Sequence, residues 1–130
     1  MRRSLVSVAG GLAVLVACSS STSPGGCTPS ATQVCMVGGN ASPAFNPVTL
    51  TIAHGTTVTW SDGDGVVHTV KSATASTEVF SSSASCGTGI AAGGTYSHTF
   101  NTAGTYNYYC QCHGTDGSPP TGMHGTIIVQ

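Results

Sequence analysis

Beyond residue 17 the chain holds one leucine, one glutamate and one lysine: Leu50, Glu78 and Lys71. These are the residue types from which amphipathic helices are built, and without them a helix bundle is excluded. Ser and Thr together supply 36 of the 130 residues and Gly another 18, a composition of strands and turns. The length suits one domain with a single core.

From about Gln33 the sequence breaks into short β-rich pieces separated by Gly, Pro, Asn and Asp. Strands are expected at Val34 to Val37, Val48 to His54, Thr56 to Ser61, Val67 to Lys71, Thr77 to Phe80, Thr95 to Phe100, Thr105 to Cys110 and Gly125 to Val129. The expected fold class is all-β, a Greek-key β-sandwich of seven to eight strands. Period-two alternation gives each strand one buried face. Val58 and Trp60 share such a face, as do Tyr96, His98 and Phe100, and Tyr106, Tyr108 and Cys110. Asn101 to Gly104 reads as a tight hairpin turn. Ser72 to Gly94 carries little periodicity and reads as an irregular crossover, and there is no internal repeat or second domain.

Charge narrows the partners. Charged residues make up 5% of the chain and the formal net charge is -1, against about 25% charged residues in an ordinary soluble domain. Two of the three basic residues are Arg2 and Arg3. A nucleic-acid binder needs a basic stripe to displace phosphate counterions, so nucleic acid is excluded as a partner.

Those two arginines open a different kind of segment. Leu5 to Ala17 is an apolar run of 13 residues, too short to span a bilayer but suited to a secretory signal. Residues 1–17 are therefore expected to be a signal peptide. The ending Leu15-Val16-Ala17-Cys18 resembles the lipobox of bacterial lipoproteins. The resemblance implies that Cys18 is diacylated and becomes the mature N-terminus, an anchor of two or three acyl chains that holds stably to a membrane. Ser19 follows Cys18 in place of the aspartate of inner-membrane retention, which leaves an outer membrane open. Residues 18–32, rich in Ser, Thr, Pro and Gly, read as a lipid-anchored flexible tether, and residues 33–130 as the domain. The expected location is the periplasmic or cell-surface side of a membrane.

The chemistry gathers near the C-terminal strands. Cys110 ends a strong predicted strand, His113 follows it, and Met123 stands after a Gly/Pro-rich loop, just before the last strand. His68 opens another strand after the turn at Asp62 to Gly65. Two imidazoles, one thiolate and one distant thioether are the donor set of a blue-copper site. The thiolate suits Cu(I) and the imidazoles suit Cu(II). Metal ligands are thus expected at His68, Cys110, His113 and Met123, holding one copper ion that cycles between Cu(I) and Cu(II).

With those residues in place, the chain from about Gln33 to Gln130 resembles a cupredoxin of the plastocyanin-like group. The resemblance is carried by Phe45-x-Pro47, Gly55 to Trp60, Asp64-x-x-x-His68-Thr69-Val70 and Tyr96-x-x-Thr99-Phe100. It continues in Gly104-x-Tyr106-x-Tyr108-x-Cys110-x-x-His113 and Gly122-Met123-x-Gly125-x-Ile127-x-Val129. It implies an eight-stranded Greek-key sandwich, copper at the four positions named, and electron exit through the imidazole of His113. The departure is the stretch between His113 and Met123, longer than the family's, which makes Met123 the least secure ligand.

Five cysteines follow Cys18, and one held by copper leaves four for two bridges. Cys112 lies next to His113, a spacing that hinders both from meeting one ion, and is expected in a disulfide. Its expected partner is Cys86, with Cys27 and Cys35 forming the other bridge, although four cysteines allow three connectivities. His54, His98 and His124 read as structural or solvent-facing, and Asp62 and Asp64 as turn residues. The function expected is that of a monomeric one-electron carrier, with redox proteins as donor and acceptor and the membrane as anchor. It is not expected to be an enzyme, because four protein donors leave no open coordination position. The alternative is copper sequestration or delivery with the same ligands.

Overall fold

The computed structural model describes residues 26–130. The expected signal peptide, Cys18 and the start of the tether lie outside the described residues. Eight strands form two four-stranded sheets, with no α-helix among the described residues. They are β1 (Gln33–Val37), β2 (Ala44–Asn46), β3 (Thr49–Ile52), β4 (Thr56–Asp62), β5 (Lys71–Ser72), β6 (Thr95–Phe100), β7 (Gly104–Thr115) and β8 (Thr121–Val129). One sheet has the order β2-β1-β4-β6 and the other β3-β8-β7-β5. β1 runs parallel to β4 and β3 parallel to β8, while the remaining pairs are antiparallel. The all-β sandwich is as expected.

The alternation read in the sequence is what fills the core. Val58 and Trp60 of β4 point inward together with Phe100 of β6, Tyr106 and Tyr108 of β7, and Ile127 and Val129 of β8. Trp60 is fully buried and meets Tyr108, Tyr96 and Phe80 with ring centroids 5.4, 5.7 and 6.1 Å apart. Such edge-on, tilted and stacked aromatic contacts add to the area that the rings bury. The outer face of the β4–β6 ladder is hydroxylic, with Thr57 against Thr99 at 2.8 Å and Thr59 against Ser97 at 2.9 Å. That is why a chain so rich in Ser and Thr still buries an apolar face along its longer strands.

Several boundaries differ from expectation, each for a reason of pairing. Asn101 to Gly104 is not a hairpin turn: β6 pairs with β4 and β7 with β8, so the segment crosses from one sheet to the other. Tyr106 closes it, its hydroxyl donating to the Thr102 carbonyl at 2.8 Å. The expected strand at Val67 to Lys71 shrinks to β5, with His68 joined to Ile90 by an isolated bridge. Thr77 to Phe80 forms no strand, and the short β2 falls between Pro43 and Pro47 where none was expected. Upstream of Gln33, Cys27 is buried and bonded to Cys35, and the Thr32 carbonyl accepts the N–H of Thr59 at 2.9 Å.

The difference that matters most is in the last hairpin. β7 does not stop at Cys110 but continues to Thr115, and β8 begins at Thr121. The stretch expected as a long loop is therefore largely paired, Gly114 with Gly122 and Thr115 with Thr121. Only its tip, residues 116–120, is a turn.

Candidate metal centre

The register of that hairpin slips. On the core side Tyr109 pairs with His124, and beyond the slip Gly114 pairs with Gly122. Between these pairs β7 carries Cys110, Gln111, Cys112 and His113, whereas β8 carries Met123 alone. Surplus residues on one strand cannot follow the ladder and bulge out of it. The bulge thus gathers Cys110 and His113 across from Met123, which is buried in the core. Gly122 makes the closing pair possible. It sits at φ 71°, and a Cβ there would lie 2.6 Å from the His113 carbonyl oxygen.

His68 arrives from the other side. It is fully buried and held by reciprocal backbone bonds with Ile90, at 3.0 and 2.7 Å. Its Nδ1 lies 3.8 Å from Cys110 Sγ, and Nδ1 of His113 lies 3.6 Å from the same sulfur. The donor atoms of His68, Cys110 and His113 all fall within 4.8 Å of one another.

Both imidazoles turn their other nitrogen outward to an acceptor. Nε2 of His68 meets the two Asp64 oxygens at 3.1 and 3.2 Å, and Nε2 of His113 meets Asn40 Oδ1 at 3.3 Å. An acceptor at Nε2 keeps the proton there and leaves the Nδ1 lone pair facing Cys110. Asp64 is fixed in turn by the N–H groups of Gly39 at 2.6 Å and Val66 at 3.0 Å. The turn role expected of Asp62 and Asp64 holds, since Asp62 Oδ1 accepts the N–H groups of Asp64 and Gly65. The grip of Asp64 on His68 was not read from the sequence. Its only signal was the four-residue spacing inside the motif.

Cys110 is the one free cysteine among the described residues, fully buried, while Cys27 is bonded to Cys35 and Cys86 to Cys112. Its sulfur takes the Thr69 N–H at 3.3 Å, and Thr69 Oγ1 accepts the Gln111 N–H at 2.7 Å, bracing the bulge. Burial alone would push the Cys110 thiol up. The imidazole of His68, the N–H groups of Thr69 and Cys112 and the ring of His113 outweigh it and bring the thiol to about 6. Burial likewise works to lower the His68 imidazole, but the Cys110 sulfur and the Asp64 carboxylate together hold it above its ordinary value. For Asp64, burial is overcome by the N–H groups of Val66 and Gly39 and by His68, so its carboxyl is held down.

The remaining histidines stand apart from this cluster. His98 bonds Glu78 at 2.6 Å and stacks on Phe80, His124 meets the Gly122 carbonyl at 2.8 Å, and His54 is an exposed turn residue.

Residues 32–130 match the family described as copper binding proteins, plastocyanin/azurin family. The chain belongs to that family. A plastocyanin of Scenedesmus fuscus is 37% identical over 92 residues, which is 66% of this chain and 86% of that protein. Among solved structures, the chain is similar to a purple cupredoxin from Nitrosopumilus maritimus, with a TM-score of 0.53 and 26% identity, covering 76% of this chain and 99% of that one. It is also similar to a copper-containing nitrite reductase from Thermus scotoductus, with a TM-score of 0.58 and 26% identity. There 81% of this chain corresponds to 23% of the reductase.

As for the plastocyanin/azurin family at large, the cofactor is one copper ion. The residues present fit it. Donors bound to one ion in a trigonal arrangement stand about 3.7 Å apart, and the sulfur of Cys110 lies 3.8 and 3.6 Å from the two Nδ1 atoms. One soft sulfur and two imidazoles in a buried pole suit both valences of copper.

Proposed function

We propose that the chain is a mononuclear type 1 copper protein that carries single electrons between redox proteins at a membrane. His68, Cys110, His113 and Met123 are the residues that would hold the copper. The observation that carries this reading is the pair of imidazole Nδ1 atoms flanking the one free, buried thiol among the described residues. When bound, copper supplies a centre that gains or loses one electron without a bond being made to substrate. The chain's own residues do the rest. Asp64 and Asn40 fix the rings, Thr69 and Gln111 brace the bulge, and the sandwich beneath keeps the donors from rearranging between valences. His68 is buried and His113 half-exposed, so His113 is the edge through which electrons enter and leave. A centre closed by four protein donors offers no coordination position to a substrate, which favours a carrier over an enzyme. Residues 1–17 export the chain, and Cys18 anchors it as a lipoprotein monomer on the periplasmic or cell-surface side.

The test is colour. Purified with its copper, the exported protein is expected to show an intense thiolate-to-Cu(II) absorption that bleaches with ascorbate and returns with ferricyanide. Cys110→Ala is expected to abolish it, and Met123→Leu to keep the copper while raising the potential. A colourless protein that exchanges Cu(I) readily would overturn the carrier in favour of copper delivery. An unmodified mature N-terminus other than Cys18, found by mass spectrometry, would remove the lipid anchor.

A further inference from the structure

The Cys86–Cys112 disulfide is built into the metal centre. Cys112 is one of the surplus residues of the bulge, between Gln111 and His113, and is packed against the buried core. Its partner Cys86 is exposed and opens a single 3-10 turn, Cys86–Thr88. From that turn the chain enters Gly89 and Ile90, and Ile90 exchanges both backbone hydrogen bonds with His68. Gly89 permits this approach, since a Cβ there would stand 2.4 Å from the His68 carbonyl oxygen. The disulfide therefore closes a ring that runs from Cys110 and His113 through Cys112 and Cys86 to Ile90 and His68. The other bridge, Cys27–Cys35, spans 8 residues and ties the N-terminal segment to β1.

The bond also settles which sulfur faces the metal. While it is intact, Cys112 has no thiol to offer and Cys110 is the sole free thiol among the described residues. Opened, it leaves a second thiol two residues from Cys110, in a stretch that has lost its covalent tie. Two thiolates are a soft donor pair that favours Cu(I) over Cu(II).

We propose that the Cys86–Cys112 disulfide is a redox-sensitive positioning element of this centre. Intact, it leaves Cys110 as the single thiolate ligand. Opened by a dithiol reductant, it releases Cys112 as a second thiolate that retains Cu(I) together with Cys110, in place of the adjacent His113. The inference rests on the copper-carrier reading above. In the exchange a thiolate of the reductant attacks the exposed Cys86 sulfur, the bond to Cys112 breaks, and Cys112 leaves as thiolate. The reductant's second thiol then attacks the mixed disulfide and frees Cys86. The dithiol gives up two electrons and two protons, becoming a disulfide, and the protein gains both as thiols.

The test compares copper-loaded wild type, Cys86→Ser, and Cys86→Ser/Cys112→Ser, each as the full exported chain. Cu(I) affinity is read by competition with a chromophoric Cu(I) chelator, and the thiolate-to-Cu(II) band after reoxidation. Cys86→Ser is expected to hold Cu(I) about tenfold more tightly than the double variant and to recover a weaker band, because only it carries the extra soft donor. Equal affinities and equal bands in the two variants would overturn the proposal. Wild type kept anaerobic in its Cu(I) form and treated with a phosphine serves if a variant fails to fold. With the new thiols counted by alkylation and mass, its affinity is expected to rise as in Cys86→Ser, and an unchanged affinity would also overturn the proposal. A wild-type protein with no coloured copper form would instead sink the carrier reading itself.

Discussion

Strand β7 is fastened in two different ways along its length. Through Tyr106 and Tyr108 the ladder to β8 is regular, Tyr106 facing Ile127 and Tyr108 facing Gly125, and the inward rings pack against Trp60 and its aromatic neighbours. From Cys110 to His113 the ladder lapses, and each residue is held by its own tether: Thr69 for Cys110 and Gln111, Cys86 for Cys112, Asn40 for His113. Packing in the first region is collective and indifferent to chemistry, since any rings of the right volume would serve. Tethering in the second is individual, and each contact selects one atom to face the metal. The core decides where the site stands, and the tethers decide what it does.

The largest effect is expected from breaking the packed region. Trp60→Ala removes the ring on which Tyr108, Tyr96 and Phe80 converge, and is expected to cost about 3–5 kcal/mol, as for other large-to-small core changes. Against total stabilities of roughly 5–15 kcal/mol, that loss should appear as a large fall in the urea midpoint, with copper retention failing at the same point. A variant that loses its copper well before it unfolds would show that the pole stands less firmly on the core than the shared strand implies.

An intermediate effect is expected from the tethers. Asp64→Asn keeps only one of the two oxygens that accept the Gly39 and Val66 N–H groups, and it removes the negative charge beside His68 Nε2. The oxidised centre carries one more positive charge than the reduced one, so it loses more from that removal. The expected outcome is a higher reduction potential with copper retained and melting somewhat lowered, since one backbone N–H loses its acceptor, measured by redox titration and thermal unfolding. An unchanged potential would mean that Asp64 serves only the turn.

The same contrast explains what was legible in the sequence. Alternation in β4, β6 and the second half of β8 marked the inward residues, because a period of two records burial directly. Cys110, His68 and His113 stood out by donor type, and setting one thiolate aside made a pairing of the other cysteines natural. The tethers left no such trace. The extension of β7 past Cys110 depends on Gly114 and Thr115 finding Gly122 and Thr121, and neither side carries an apolar rhythm. His68 looked like the start of a strand, yet its neighbour Val70 bonds the Ser82 hydroxyl at 2.9 Å, in a segment without periodicity. Aspartate in a Gly-rich turn needs no further explanation, so the sequence alone marks Asp64 as a turn residue, whereas in the structure one carboxylate does both jobs with its two oxygens.

The smallest effect is expected at the tip of the hairpin, where Asp116 ties the excursion between His113 and Met123 back to the segment after β5. Its carboxylate accepts the hydroxyl and the N–H of Thr74 and the N–H of Gly117. Those contacts, the Thr74 hydroxyl first, hold the exposed Asp116 carboxyl below its ordinary value of 3.8. A group held down in the folded state contributes its stability in full above the unfolded value and loses it as the pH falls through the folded one. Asp116→Asn is therefore expected to be slightly less stable than wild type at neutral pH, with the gap closing in acid, measured by urea unfolding across that range. Because the tip is exposed, the charge is screened and the gap small. A gap that persists in acid would assign the tether to hydrogen-bond shape instead of charge. A shift in the Cu(II) absorption on the same substitution would show that the tip, and not only the bulge, sets the position of Met123.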